Sequence, residues 1–190
     1  MLNLKTVSGD VKFDSLKSAL CKIKTVSGDF SVNTLNTDSF EFKSVSGDAK
    51  IIEVIGDTVE FNAVSGDLKC DFIKNDNVKF KTVSGDVKVK TSSKAFSGST
   101  VSGDVVINCE KLPEKLKLKT VSGDIKIDAQ NKSDFEYEIK TLSGDIISNL
   151  KLLKDKKKCN GKYGTDIISK IYLKTVSGDI NLEMAGVSNE

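Results

Sequence analysis

The stretch Lys81-Thr82-Val83-Ser84-Gly85-Asp86-Val87-Lys88-Val89 decides how this chain folds, because it returns almost unchanged as Lys119-Thr120-Val121-Ser122-Gly123-Asp124-Ile125-Lys126-Ile127. Its centre, Ser-Gly-Asp, occurs nine times, ending at Asp10, Asp29, Asp48, Asp67, Asp86, Asp104, Asp124, Asp145 and Asp179. Successive spacings are 19, 19, 19, 19, 18, 20, 21 and 34 residues, so the last unit carries an insertion of about fifteen. Self-similarity at a fixed period is the mark of a repeat architecture.

Working outward from the triplet, apolar residues alternate with polar ones, the period of a half-buried strand. Eight residues before each aspartate stand Leu2, Cys21, Phe40, Val59, Val78, Phe96, Leu116, Tyr137 and Ile171. Six before it stand Leu4, Ile23, Phe42, Phe61, Phe80, Gly98, Leu118, Ile139 and Leu173. The position four before is small, as in Thr6, Thr25, Ser44, Ala63 and Thr82, and a β-branched residue precedes the triplet in eight of nine units. Between the apolar columns runs a polar one containing Lys5, Lys24, Lys43, Lys81, Lys119, Lys140 and Lys174. Glycine accepts positive φ and aspartate bonds nearby backbone, so the triplet reads as a tight corner between two short strands. Alternation resumes after it, as at Val11 and Phe13 or Val87 and Val89, and a third apolar anchor (Leu16, Leu35, Val54, Ile73) tucks in a second corner.

One such unit buries too few side chains to fold alone. Stacked units bury a continuous core and hydrogen-bond in parallel. The expected fold is all-β, a parallel β-solenoid of about nine coils of roughly 19 residues, forming a single domain over residues 1–190. Two places break the pattern. In the sixth unit, Lys94 to Ser99, Gly98 replaces a core residue, which predicts a pinched or bulged coil. The insertion at about 150–168 holds the run Lys154-Asp155-Lys156-Lys157-Lys158 and the pair Gly161 and Gly164; it is expected to leave the stack as a loop or hairpin.

Composition narrows the function classes. The chain has no histidine, all 29 basic residues are lysine, and the net charge is +2. Histidine is the usual acid, base or ligand at neutral pH, and arginine the usual fork for phosphate or carboxylate. The near balance of charge gives no reason to expect nucleic acid as a partner. No apolar run is long enough to span a bilayer, and the first residues lack the zones of a signal peptide. Location therefore divides: cytoplasmic if Met1 is the true start, cell surface or envelope if the chain is a fragment of a longer protein. The first coil, from Leu2, shows no cap in the sequence, which predicts end-to-end self-association or an upstream cap.

No catalytic, cofactor-binding or metal-ligating residue is assigned. A serine nucleophile lacks a histidine base. A pair of carboxylates, the basis of a carbohydrate-active enzyme, lacks the aromatic platforms that sugar sites add, since Trp is absent. Cys21 and Cys70 fall in apolar columns; Cys109 and Cys159 read as lying in connecting segments, and no pair has zinc-ligand spacing. Four cysteines without a disulfide framework lean toward a reducing compartment. Stacked aspartates about 4.8 Å apart repel by ~1 kcal/mol per neighbouring pair even in water, so turn amides, serine hydroxyls, lysines or a cation must offset them.

The repeated Lys-Thr-Val-Ser-Gly-Asp strings at Lys81 to Val89 and Lys119 to Ile127, with the closing Gly161-Lys162-Tyr163-Gly164 and Lys174 to Leu182, resemble a bacterial adhesin family of β-strand-repeat domains, a domain of unknown function. The resemblance implies a right-handed β-helix and a place at the cell envelope. It carries no catalytic or binding residues. Together these readings lead to a non-enzymatic binding or scaffold module of a bacterial surface or envelope protein, with a protein or glycan partner. An intracellular structural or regulatory solenoid is the alternative, and a carbohydrate-active enzyme the remote one.

Overall fold

The computed structural model describes residues 1–152, 155 and 157–185. All of its regular structure is strand, wound as parallel stacked coils. Before each corner runs a first ladder: β1 (Leu2–Ser8), β3 (Leu20–Ser27), β4 (Phe30–Ser46), β5 (Ala49–Ser65), β6 (Leu68–Lys81), β8 (Ala95–Ser99) and β10 (Lys115–Lys119). After each corner runs a second: β2 (Val11–Lys17), then β4, β5 and β6 again, β7 (Val87–Thr91), β9 (Val105–Cys109) and β11 (Ile125–Ala129). Strands β4, β5 and β6 bend round the second corner and belong to both ladders. Core columns lie in register, as in Phe40↔Val59 and Phe42↔Phe61, and one continuous core runs from Cys21 to Met184. At the end level, Leu2, Leu4, Val11, Phe13 and Leu16 are half-buried against it.

The corner explains its own sequence. Ser84 N–H donates to the Val64 carbonyl one coil back, at 2.9 Å, and Gly85 N–H to the Ser102 carbonyl one coil on, at 3.1 Å. Val87 N–H donates to the Asp104 carbonyl at 2.8 Å. The remaining donor, Asp86 N–H, is taken by Oδ1 of Asp67 at 2.8 Å. The same bond links all nine aspartates, from Asp29 N–H on Asp10 at 3.0 Å to Asp145 N–H on Asp179 at 2.8 Å. Turn amides thus hold the carboxylate column, and eight of the nine aspartate side chains each satisfy a backbone donor that would otherwise lack a partner. Glycine is needed because the coils approach closely here. A Cβ on Gly28 would lie 2.9 Å from the Gly9 carbonyl carbon and closer still to its oxygen.

Outside the corner, the β-branched column faces solvent. Val26, Val45, Val83, Val101 and Val121 are 46–50% exposed, whereas Val7 and Leu142 at the two ends are 73% and 74% exposed. Each interior valine is therefore covered by its neighbours up and down the rod.

Three expectations are corrected. The sixth coil is not bulged at Gly98: β8 pairs in unbroken register with β6 and β10, and the Phe80 ring occupies the space a Cβ on Gly98 would need. The register shift falls on the other ladder, between Cys70 and Ile73 of β6 against β7, where the 18-residue unit absorbs its missing residue. The insertion does not leave the stack. Its segment β14 (Lys158–Tyr163) pairs antiparallel with β12 (Phe135–Lys140) and closes that end of the first ladder. Lys154 and Lys156 of the lysine run lie outside the described residues.

The third correction concerns order. The ninth coil, β15 (Ser169–Lys174) and β16 (Ile180–Met184), lies between the seventh and the eighth. Strand β15 pairs with β10 on one side and β12 on the other; β16 pairs with β11 and with β13 (Ile146–Ser148). About seven turns therefore wind in sequence order, and the last two corners enter exchanged. Ser177 N–H donates to the Val121 carbonyl and Ser143 N–H to the Val176 carbonyl, both at 2.8 Å, so the exchanged coils rebuild the standard corner contacts.

Candidate functional site

Outward positions of the first ladder carry the lysine column seen in the sequence, and the exchange of coils decides what stands beside it. Had the eighth coil followed the seventh in space, Lys115 and Lys117 would face Glu136 and Glu138, and charges would cancel across the strands. Instead the neighbours are Lys115↔Lys170, Lys117↔Tyr172 and Lys119↔Lys174. The acidic pair is displaced one strand further, to Glu136↔Lys170 and Glu138↔Tyr172, and beyond it lie Lys158 and Lys162 of β14. A groove of about 580 Å³ runs over this surface, lined by Lys115, Lys117, Lys170, Tyr172, Glu138 and Lys162 among others.

The charges here are only partly compensated. Lys170 Nζ reaches Glu136 at 3.4 Å and Lys140 pairs with Glu138, which holds the Glu138 carboxyl below its ordinary range and raises the Lys140 ammonium. Among the described residues, Lys117 and Lys119 have no carboxylate partner. Both ammonium groups sit 5.7 Å from the centroid of the Tyr172 ring, a cation–π contact worth ~0.5–1 kcal/mol at an exposed site. By contrast, in the early coils Glu41 takes both Lys22, at 3.1 Å, and Lys43, whose two ammonium hydrogen bonds hold its carboxyl low.

A second depression adjoins the first and shares Lys117 with it. In the sixth coil the outward residues are Ser97 and Ser99, flanked in register by Lys79 and Lys81 on one side and Lys117 and Lys119 on the other. The short side chains leave a trough of about 340 Å³ between two lysine walls.

The other sequence candidates are placed as follows. Cys21, Cys70, Cys109 and Cys159 are all free and buried. Burial pushes the Cys21 thiol up to about 11 and those of Cys70 and Cys109 up to about 12, and raises Cys159. Cys109 and Cys159 do not lie in connecting segments: Cys109 ends β9 in the third apolar column and Cys159 is in β14. Thiols this buried and this weakly acidic are small core side chains, and they carry no argument about redox compartment. Asp134, at the chain's turn into β12, accepts the Thr165 and Asp166 N–H groups at 2.9 and 3.0 Å and ties the end of the insertion down. Among the described residues no helix is long and apolar enough to cross a membrane.

The lysine field was not visible in the residue columns taken in sequence order, because it depends on which coil faces which; the insertion before the ninth corner was its only signal. No curated protein and no solved structure matches the chain. The profile of the Toastrack DUF4097 family, a domain of unknown function, matches residues 21–183, from the second coil to the last strand, and the chain belongs to that family.

Proposed function

We propose that this domain is a non-enzymatic binding scaffold of a bacterial cell-surface or envelope protein, and that it holds an acidic partner on the outer face of the first ladder. The observation that carries the reading is the placement of the ninth coil against the seventh. It sets Lys115 beside Lys170, Lys117 beside Tyr172 and Lys119 beside Lys174, and moves the two glutamates one strand further. Uncompensated like charges on adjacent strands are unfavourable unless something anionic joins them. An extended groove on a rigid parallel ladder suits a long partner with repeated charge better than a small substrate. The absence of histidine and arginine and the inert thiols favour binding over chemistry.

Retention on immobilised acidic polymers, with neutral dextran as control, tests this directly. Lys117→Glu with Lys119→Glu is expected to weaken retention about tenfold. Lys5→Glu with Lys24→Glu changes the charge equally at the far end of the same column and is expected to matter far less. Equal losses from the two variants, or no salt-sensitive retention of the native protein, would overturn the reading.

A further inference from the structure

We propose that the trough floored by Ser97 and Ser99 is a subsite for a sulfate or phosphate ester group of the acidic partner, which rests on the binding reading above. The sixth coil departs from its neighbours here in three consecutive residues. Where the flanking strands carry Lys79-Phe80-Lys81 and Lys117-Leu118-Lys119, strand β8 carries Ser97-Gly98-Ser99. Gly98 is accounted for by the Phe80 ring packed over it, so the core explains the glycine. It does not explain two outward serines in place of two lysines.

Their effect is to open a gap of two strand spacings, about 9.6 Å, between the lysine walls. A lysine at either position would fill it. The resulting depression of about 340 Å³ has hydroxyls on its floor and lysine side chains on both sides, and the Lys117 and Lys119 ammonium groups, which lie over the Tyr172 ring, turn from it to meet a ligand in the trough. None of the four wall lysines is engaged by a carboxylate, since the ion pairs of this molecule involve other lysines among the described residues. Among the described residues the hydroxyls of Ser97 and Ser99 find no hydrogen-bond partner, and both serines are partly exposed, so their O–H donors are available to a ligand. Glu60 stands at the rim on the fourth-coil side, and its Oε1 accepts from the Asn62 side-chain amide at 2.9 Å, which turns that carboxylate toward its own strand.

This donor set distinguishes among anions. A tetrahedral ester oxyanion presents oxygens in several directions and can take the two floor hydroxyls and an ammonium from each wall together. A carboxylate has two oxygens in one plane and cannot reach floor and both walls at once. Next along the ladder, Tyr172 lies beside Lys117, under the ammonium groups of Lys117 and Lys119.

The test compares three polymers matched in total charge: heparin oligosaccharides for sulfate, poly(glycerol phosphate) for phosphate, and oligogalacturonate for carboxylate, each titrated calorimetrically. The expected result is that at least one ester polymer binds about tenfold more tightly than oligogalacturonate, and the two ester arms identify which group is preferred. Ser97→Ala with Ser99→Ala should erase that preference and leave oligogalacturonate binding unchanged. Ser97→Lys adds positive charge yet fills the trough, so it too should lose the preference; a thermal melt checks that each variant folds. Equal binding of all three polymers, or a preference that survives in the serine variants, overturns the subsite and leaves the general binding reading standing. No binding of any polymer overturns both.

Discussion

At the scale of the residue, Ser-Gly-Asp is a solution to a hydrogen-bonding problem. The corner has four backbone donors, and three find carbonyls in adjacent coils; the fourth, on the aspartate, finds the carboxylate of the aspartate one coil away. Glycine serves two distinct needs that the repeat separates. Gly9, in the end coil, has φ +108° with nothing near its missing Cβ. Gly28 lies outside the left-handed region but directly against the Gly9 carbonyl, and Gly66 combines φ +146° with the same close approach. Substitution by alanine should therefore cost ~1–2 kcal/mol at Gly9 from conformation, ~1–3 kcal/mol at Gly28 from overpacking, and most at Gly66. Urea midpoints of the three variants give the order. A Gly66 variant as stable as the Gly9 variant contradicts the close-approach argument.

Among the elements, most strands were legible from alternation, because a side-chain period of two maps columns of sequence directly onto columns of core. Gly98 shows where that reading fails: a gap in one column was filled by Phe80 from the next coil, a compensation between neighbours that no single column displays. The insertion was less legible still. Five of the six residues in Lys158–Tyr163 are polar or small and give little strand signal, yet the segment pairs with β12 because its edge offers a free ladder, and Lys158 and Lys162 then face outward. What holds the following turn is Asp134. The Asp166 and Thr165 N–H groups keep its carboxyl below the ordinary carboxylate range, and Gly164, at φ +85°, passes where a Cβ would strike that carboxylate. Because the folded-state value is depressed, the stabilisation is present above the unfolded value and is lost as pH falls through the folded one. Amide exchange at Thr165 and Asp166 should accelerate, relative to the core, on acidification below the usual aspartate range. Asp134→Asn should do the same at neutral pH. Protection that is independent of pH and survives in the asparagine variant contradicts the anchor.

For the whole molecule, the corner does not care about coil order. Each coil presents the same Ser-Gly-Asp corner, and the ninth fits between the seventh and eighth with its Asp179 bonded to Asp124 and Asp145 to Asp179. The solvent face does care, because outward residues differ from coil to coil. That asymmetry is why the fold could be read from the repeat while the candidate site could not: the lysine field arises from Lys117↔Tyr172 and Lys119↔Lys174, pairs some 55 residues apart in sequence. The proposed function stands on this order. Cross-linking tests it most directly. Directly opposed residues on adjacent strands lie within disulfide reach, whereas strands two apart, at about 9.6 Å, do not. The native thiols are buried and will not compete. On mild oxidation, Lys117→Cys combined with Tyr172→Cys is predicted to form a disulfide, and Lys117→Cys combined with Glu138→Cys to remain reduced. The reverse outcome would mean that the coils stack in sequence order, that Lys117 faces Glu138, and that the lysine field does not exist.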